Sequence, residues 1–550
     1  TGQPLFTGVQ YLYGPVFGLL GHDIAALRMF RLATVVLAHA VFAAAFLSWL
    51  RTRRPQAPAT PWWEAAGATA VVAAGAAVYG WLPLSAGYND VAILGCFTIM
   101  AVVLRVATRV DRGRPVPGWL PAALGPVVAA MLLAKWSTAV VAVGAYGLLL
   151  AAVVAPRGGR AVAQAAGWAA AGLVAALLAV HVALVPLTDL VPNLVRTNRL
   201  VAQGPNAPGT LLEHYLVTAG RTLAAVPRLY WPLLLGVVLA CLPLGRRARA
   251  AGGAAAAVGF VAFGWRAVAG GALVGGTGNL GRYVPALVAL AASVVIAATL
   301  CARPPAGADS AAPARRRSLC VYGGVLALPV VQAAGTGNAL FTSASSAAAA
   351  WAALAVALAT AVTGAPAVTR WCVGALTCCA VLAPVAVGVT GVLWHPYNTA
   401  PRARSTDRAA GVAPLASVRL DPRTAAGFAD LRRRLDPYVA RPGRAVMSFY
   451  SKPGLVLLLD GRSPGENWYP ATDKSRAARM IARDCAGRRP WWGARHPVLI
   501  FDRRVTAVEV GALRACGLDL AADYRPLAPK EETMNLTVYV PAAPPPAVAR

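Results

Sequence analysis

Two arginines of one predicted surface helix have the spacing of a phosphate-binding pair. In the stretch from Asn193 to Leu200, Arg196 and Arg199 are three residues apart and fall on one face of a helix. An amphipathic helix with paired arginines can hold a lipid phosphate at a membrane surface. The alternative is an interfacial helix whose charges are simply solvated. The chemistry that this segment predicts is therefore recognition of an anion.

A single lysine lies between two apolar segments nearer the start of the chain. The sequence has four lysines and 47 arginines, and Lys135 is the only lysine among the first 451 residues. Because the chain uses arginine almost everywhere else, this single lysine indicates a function for its ammonium group. The alternative is an anchor at the membrane surface beside Trp136, with its charged end in water.

Carboxylates are rare in the first 394 residues. They are Asp23, Glu64, Asp90, Asp111, Asp189, Glu213 and Asp309. Ionisable groups in or beside membrane spans are costly, and their retention usually reflects a function. Asp90, which enters an apolar segment directly after Tyr88 and Asn89, is the candidate that we carry forward.

The tetrapeptide Gly-Thr-Gly-Asn occurs twice, each time at the end of an apolar segment. The copies end at Asn279 and Asn338, and Arg282 and Tyr283 follow the first copy. Glycines let the backbone approach a ligand closely, and asparagine supplies polar contacts. Ordinary turn chemistry explains the same tetrapeptide equally well.

The elements that must position these residues are membrane spans. Hydrophobic residues make up 58% of the chain, charged residues 13%, and the mean hydropathy is +0.58, a composition that a soluble protein of this size could not cover with polar surface. We predict about twelve transmembrane helices: 31–50, 62–83, 91–108, 118–134, 136–155, 162–186, 229–244, 252–274, 283–302, 318–334, 347–364 and 371–394.

The loops between these spans alternate between arginine-rich and arginine-poor. The arginine-rich loops lie at 51–54, 105–114, 157–160, 246–249, 303–317 and 370. Because positive loops stay in the cytoplasm, the candidate residues and both ends of the chain are predicted outside a plasma membrane. The net charge of +30 does not indicate a nucleic-acid partner, since the arginines flank apolar spans instead of forming one basic face.

The chain changes character after residue 397. Residues 398–550 carry 14 of the 21 acidic residues and predict a small extracytoplasmic α/β domain with a Pro-rich, disordered end, following a multi-span domain over 1–397. We expect a helix over 409–436, strands at 444–449 and 497–502, a helix at 474–484 and an edge strand at 537–540. Cys485 and Cys516 are either a disulfide or two small buried side chains.

The order of these features resembles the polytopic glycosyltransferases of the C superfamily, the broad group of protein O-mannosyltransferases and bacterial lipid-A and arabinan sugar transferases. The resemblance covers nearly the whole chain and rests on these segments: Gly2 to Thr7, Tyr11 to Pro15, Ala26 to Arg28, Tyr88 to Asp90, Leu133 to Ser137, Thr277 to Tyr283, and the soluble tail. The order of the motifs carries the resemblance more than any one of them.

The resemblance implies inverting transfer of a sugar from a polyprenyl-phosphate donor to a glycan, lipid or protein acceptor on the outer face. It implies that the donor phosphate is bound by Lys135, Arg282, Arg196 and Arg199. Asp90 would be a supporting carboxylate or acceptor contact. Further site candidates are Tyr11, Tyr13, Tyr88, Asn279, Tyr283 and Asn338. No cofactor and no divalent metal are expected.

The chain departs from the family pattern at its start. The family's base is usually an Asp that precedes the segment matched by Gly2 to Thr7, so we expect the primary base upstream of Thr1, with one further span. Two other functions stay open, a transporter or flippase and a non-catalytic membrane scaffold of the same fold. The transporter is less favoured because no two halves with matching interrupted spans are visible.

Overall fold

The computed structural model describes these parts of the chain: 7–53, 61–201, 207–241, 245–269, 288, 312–363, 365–397, 399–439, 444–449, 454–465, 469, 474–485, 496–502, 504–527 and 534–542. They divide into two compact units. The helical unit is Met29–Ala183 with Pro205–Arg402, and the tail unit is Thr1–Arg28, Leu184–Gly204 and Ala403–Arg550. The predicted span at 283–302 lies outside the described residues.

Helices occupy most of the described chain before residue 397. They are α1 (Val9–Leu19), α2 (Ile24–Arg53), α3 (Pro61–Ala74), α4 (Tyr88–Asp111), α5 (Trp119–Ala122), α6 (Leu124–Val154), α7 (Gly159–Ala183), α8 (Leu187–Val201), α9 (Pro208–Cys241), α10 (Arg246–Ala269), α11 (Ala312–Ala333), α12 (Leu340–Ala344), α13 (Ala349–Ala361) and α14 (Ala367–Leu393). Long Ala, Leu and Val runs favour helix here and leave few polar groups for water.

Six helical segments of the described chain are long and apolar enough to cross a membrane, or seven if the bent pair α12 and α13 counts as one span. Apolar side chains such as Val141 on α6, Leu178 on α7 and Leu382 on α14 are exposed, which suits contact with lipid. The architecture is that of a helical membrane protein with a small sheet. Twelve crossings remain a prediction.

Two predicted spans, 118–134 and 136–155, meet at a break in α6. The segment α6 consists of two helices joined by a kink at Lys135, whose φ of −151° and ψ of 77° are not helical. Helix α6 also approaches α7 closely, because a Cβ on Gly125 would lie 2.0 Å from the carbonyl carbon of Gly172. The two glycines therefore allow a helix contact that larger residues would prevent.

The tail unit contains a five-stranded sheet. Its strands are β1 (Arg444–Phe449), β2 (Gly461–Arg462), β3 (Val498–Phe501), β4 (Tyr524–Pro526) and β5 (Thr537–Pro541), in the order β2-β1-β3-β5-β4. β1 is parallel to β2 and β3, while β5 is antiparallel to β3 and β4. The helices are α15 (Pro422–Val439), α16 (Gly454–Leu458), α17 (Lys474–Asp484) and α18 (Ala507–Ala515). Strands β1 and β3 are almost wholly buried, as in sheets covered on both faces.

Two details of the predicted tail are wrong. The strand predicted at an edge is β5, which lies inside the sheet between β3 and β4. The helix predicted from residue 409 begins at Pro422, because Asp421 accepts a hydrogen bond from the Thr424 amide at 3.1 Å and caps its start. Leu420, which lies within the predicted helix, pairs instead with Asp407 in an isolated antiparallel bridge.

Cys485 and Cys516 form a disulfide between the end of α17 and the end of α18. Both cysteines are buried. The sequence alone left this pairing open, since two small buried side chains would give the same pattern. The bond cross-links two helices that pack against each other.

Candidate functional site

Lys135 is buried at the break in α6. Lys135 is only 8% exposed, and its ammonium Nζ donates to the backbone carbonyl of Gln332 at 3.4 Å. Within the described residues no carboxylate lies at ion-pair distance from this ammonium. An ammonium has three N–H donors, so one long bond to a carbonyl leaves capacity for an anion.

The carbonyl that Lys135 contacts belongs to the end of α11. The last carbonyls of a helix have no partner within the helix, and here neighbouring helices supply donors. Thr138 Oγ1 lies 3.4 Å from the Gln332 carbonyl oxygen, and the Tyr215 hydroxyl lies 3.4 Å from the Ala333 carbonyl oxygen. Lys135 therefore also has a structural role, since a cation at a helix C-terminus is stabilising.

The second Gly-Thr-Gly-Asn turn packs against the break at Lys135. Gly335 has a φ of +78°, and a Cβ placed on it would lie 2.0 Å from Ser137 Oγ. Thr336 Oγ1 and Ser343 Oγ are 3.0 Å apart, and Asn338 is exposed in the same turn. Lys135 and the turn that carries Asn338, which are about 200 residues apart in the sequence, thus belong to one polar region.

This region continues through a buried amide. Gln332 Nε2 donates to the Ser343 carbonyl at 2.6 Å and lies 3.5 Å from Ser346 Oγ. The short helical turn that contains Ser346 packs against the turn at Gly75–Tyr79. Buried polar groups among apolar helices cost free energy unless they are hydrogen-bonded. Their presence in membrane-length segments therefore marks this region as a candidate binding site.

Asp90 lies at the start of α4 in a buried ion pair with Arg31. Asp90 Oδ1 is 2.8 Å from Arg31 Nε and 2.7 Å from Arg31 Nη2, and Oδ2 accepts the Gly87 amide at 2.7 Å. The guanidinium carbon of Arg31 lies 4.4 Å from the centroid of the Tyr79 ring. Arg31 is 0% exposed and Asp90 3%. Asp90 is therefore paired with a buried guanidinium inside the helical unit.

Arg31 and Gln332 are two of the site residues that sequence reasoning missed. The available signal for Arg31 was an arginine inside an otherwise apolar span, one turn after Arg28. Gln332 had the same kind of signal at the end of another span. Neither residue reveals its partner without the tertiary structure.

The other candidates fall into three groups. Tyr88 is partly exposed and forms the first residue of α4 in the helical unit. Tyr11 and Tyr13 lie in α1, and Arg196 and Arg199 are exposed on α8, all in the tail unit. Asn279, Arg282 and Tyr283 lie outside the described residues. The roles predicted for all of these stay predictions.

The tail unit has a buried titratable cluster of its own. Burial raises the pKa of the Asp484 carboxyl to about 7, against the lowering effects of the Tyr469 hydroxyl and Arg483. Tyr469 donates to Asp484 Oδ2 at 2.6 Å, and burial raises the pKa of Tyr469 as well. Asp484 directly precedes Cys485 of the disulfide at the end of α17. Because burial raises the pKa of Asp484, this pKa depends on how α17 is packed.

Comparison with known proteins identifies no relative: no family model, no curated protein and no solved structure matches the chain. In the described part of the chain, no three His, Cys, Asp or Glu side chains are grouped closely enough to hold a metal ion. The functional argument therefore rests on the chain's own residues.

Proposed function

We propose that the protein is a membrane glycosyltransferase that moves a sugar from a polyprenyl-phosphate donor to an acceptor on the extracytoplasmic face. The observation that carries the proposal is Lys135, a buried cation without a carboxylate partner among the described residues, at the kink between the two helices of α6. A lipid phosphate that stays in the bilayer would find its counter-charge there.

In this proposal each group has a defined task. The acceptor hydroxyl forms a bond to the sugar carbon as that carbon's bond to the phosphate oxygen breaks, and the polyprenyl phosphate leaves with the electron pair. Lys135 stabilises the charge on the departing phosphate, with Arg282, Arg196 and Arg199 as further candidates from the sequence resemblance. A carboxylate takes the proton of the acceptor. Asp90 is a supporting carboxylate in this proposal.

The disulfide supports an extracytoplasmic location of the tail. Disulfides persist in oxidising compartments and are rare in the cytoplasm, and Cys485 and Cys516 are joined. This agrees with the arginine-poor loops predicted on the outer face. A chain with twelve spans, with Lys135 and the tail on the outer side of a plasma membrane, is accordingly the topology that we propose.

The test is sugar transfer by the full chain in proteoliposomes, including any upstream coding sequence, with polyprenyl-phosphate mannose, glucose and arabinose as labelled donors. We expect Lys135→Gln, which keeps an N–H donor for the Gln332 carbonyl but removes the charge, to lower transfer at least 100-fold, about 2.7 kcal/mol. Lys135→Arg should retain part of the activity. The matched control is Arg112→Gln, an exposed cation at the end of α4.

The outcomes separate the charge from the structural role of Lys135. Full activity of a folded Lys135→Gln protein would overturn the assignment of the donor site. Equal loss of activity and of thermal stability in Lys135→Gln and Lys135→Arg would assign Lys135 to helix capping alone. Movement of labelled lipid across the bilayer without a new glycosidic bond would overturn sugar transfer in favour of a transporter.

A further inference from the structure

Three arginines come together at the arginine-rich end of α4. Arg157, which follows α6, donates through Nη2 to the backbone carbonyl of Arg109 at 3.1 Å and to the carbonyl of Arg114. Arg109 Nη1 donates to the Pro115 carbonyl at 3.2 Å, so the two guanidinium groups approach carbonyls of adjacent residues. Arg105 lies one turn before Arg109 on the same face of α4. We call Arg105, Arg109 and Arg157 the α4 arginine cluster.

The α4 arginine cluster has no negative charge to balance it. Within the described residues no carboxylate pairs with any of its three guanidinium groups. The nearest acidic residue along the chain, Asp111, pairs with Arg53 and Arg317 through the same carboxylate oxygen. Positive charges one turn apart on a helix repel each other. Arg105 and Arg109 therefore destabilise this end of α4 unless an anion lies beside them.

The protein itself accounts for two of the three arginines. Arg109 and Arg157 have carbonyl partners, and a cation in the last turn of a helix interacts favourably with the helix dipole. Arg105 lies before that turn. It is the only exposed residue from Val91 to Val110, a range that the structure describes completely, in a helix long and apolar enough to cross a membrane. An arginine in such a helix is costly without a partner.

Exposed tryptophans place this end of α4 at the level of lipid headgroups. Trp119 is 66% exposed and Trp168 on α7 is 53% exposed. A Cβ on Gly118 would lie 2.3 Å from Trp168 Cε2, so Trp168 packs onto the loop that follows Pro115. Tryptophan is enriched where headgroups meet the hydrocarbon region. A long, outward-facing side chain such as that of Arg105 can extend to this level.

We propose that the α4 arginine cluster binds the phosphate of an anionic phospholipid headgroup, with Arg105 as its main contact. Arg109 and Arg157 are partly exposed and each uses one terminal nitrogen for carbonyls, which leaves further N–H donors of each guanidinium for the phosphate. The lipid is a structural ligand at the ends of α4 and α6. The site is independent of sugar transfer and belongs to loops of the opposite, arginine-rich type.

The experiment measures binding of phosphatidylglycerol and phosphatidylcholine to the purified full chain in neutral detergent, by native mass spectrometry. We expect a preference for phosphatidylglycerol and about fivefold weaker binding of it by Arg105→Gln, the effect of one arginine near a lipid phosphate. Arg105→Lys, which keeps the charge, should retain most of the affinity. The matched control is Arg370→Gln, because Arg370 is an exposed arginine of another arginine-rich loop and donates to the Ala365 carbonyl at 2.9 Å. Its affinity should not change.

A melting experiment separates lipid binding from folding. No hydrogen bond or ion pair of Arg105 occurs within the described residues, so Arg105→Gln should melt at the same temperature as the unchanged chain in lipid-free detergent. A lower melting temperature there would assign Arg105 to folding and overturn the site. Unchanged affinity in Arg105→Gln, or an equal loss in Arg370→Gln, would also overturn it. Equal binding of phosphatidylcholine, or displacement by millimolar inorganic phosphate, would overturn an anionic lipid as the ligand.

Discussion

Removing the negative charge of Asp90 should destabilise the helical unit strongly. Asp90→Asn keeps a side-chain oxygen for the Gly87 amide, so the start of α4 stays capped. It leaves Arg31, which is fully buried, without its counter-charge. Removal of one partner from a buried ion pair costs about 3–5 kcal/mol, because the remaining charge is uncompensated.

An exposed ion pair of the same unit is the reference for this loss of stability. Arg51 and Glu64 form an ion pair whose side chains are 55% and 33% exposed. Solvent screens such a pair, so Glu64→Gln should cost about 1 kcal/mol or less. The difference between the two variants isolates the effect of burial, since each replaces one carboxylate with the matching amide.

The assay is reversible unfolding in mixed micelles with increasing dodecyl sulfate, followed by tryptophan fluorescence. Arg31→Met combined with Asp90→Asn should recover about 2 kcal/mol or more relative to the sum of the single variants, because the double variant buries no unpaired charge. A cost of Asp90→Asn equal to that of Glu64→Gln, or additive single effects, would refute the reasoning.

Three further predictions concern other parts of the chain. Cys485→Ser with Cys516→Ser should destabilise the tail by about 2–4 kcal/mol in urea unfolding, because the bond closes a 31-residue separation; no effect of a reductant on the unchanged chain would contradict this. The pKa of Asp484 in the folded state is raised to about 7, so its contribution to stability is present below pH 4 and declines as pH rises to about 7. In thermal melts, Asp484→Asn should reduce this dependence of the melting temperature on pH. An unchanged pH dependence would contradict the prediction. Gly172→Leu should cost about 2–4 kcal/mol in dodecyl sulfate unfolding, because a Cβ there meets the Ala122 carbonyl oxygen at 2.1 Å; a folded variant of unchanged stability would contradict the close approach.

Local patterns in the sequence predicted the features that depend on nearby residues. A lone lysine between apolar runs indicated the break at Lys135, and a short apolar run indicated strand β3. Both signals act within a few residues. The start of α15 was also readable from Asp421 and Pro422, a cap followed by a first-turn proline. A helical pattern that already begins at residue 409 in the sequence obscured this signal.

Features that depend on distant residues were not readable. Arg31 and Asp90 are 59 residues apart, and Lys135 and Gln332 are 197 apart, so a single sequence cannot pair them. The inner position of β5 follows from pairing with β3 and β4, which depends on the whole sheet. The disulfide required α17 and α18 to pack together before its partners could be known.

The most direct test of the proposed donor site is a cryo-electron microscopy map of the full chain in nanodiscs with a short-chain polyprenyl phosphate. The proposal predicts phosphate density within about 3 Å of Lys135 Nζ, beside the turn that carries Gly335 and Asn338. Phosphate bound elsewhere, with Lys135 still donating only to the Gln332 carbonyl, would contradict it and leave Lys135 as a helix cap.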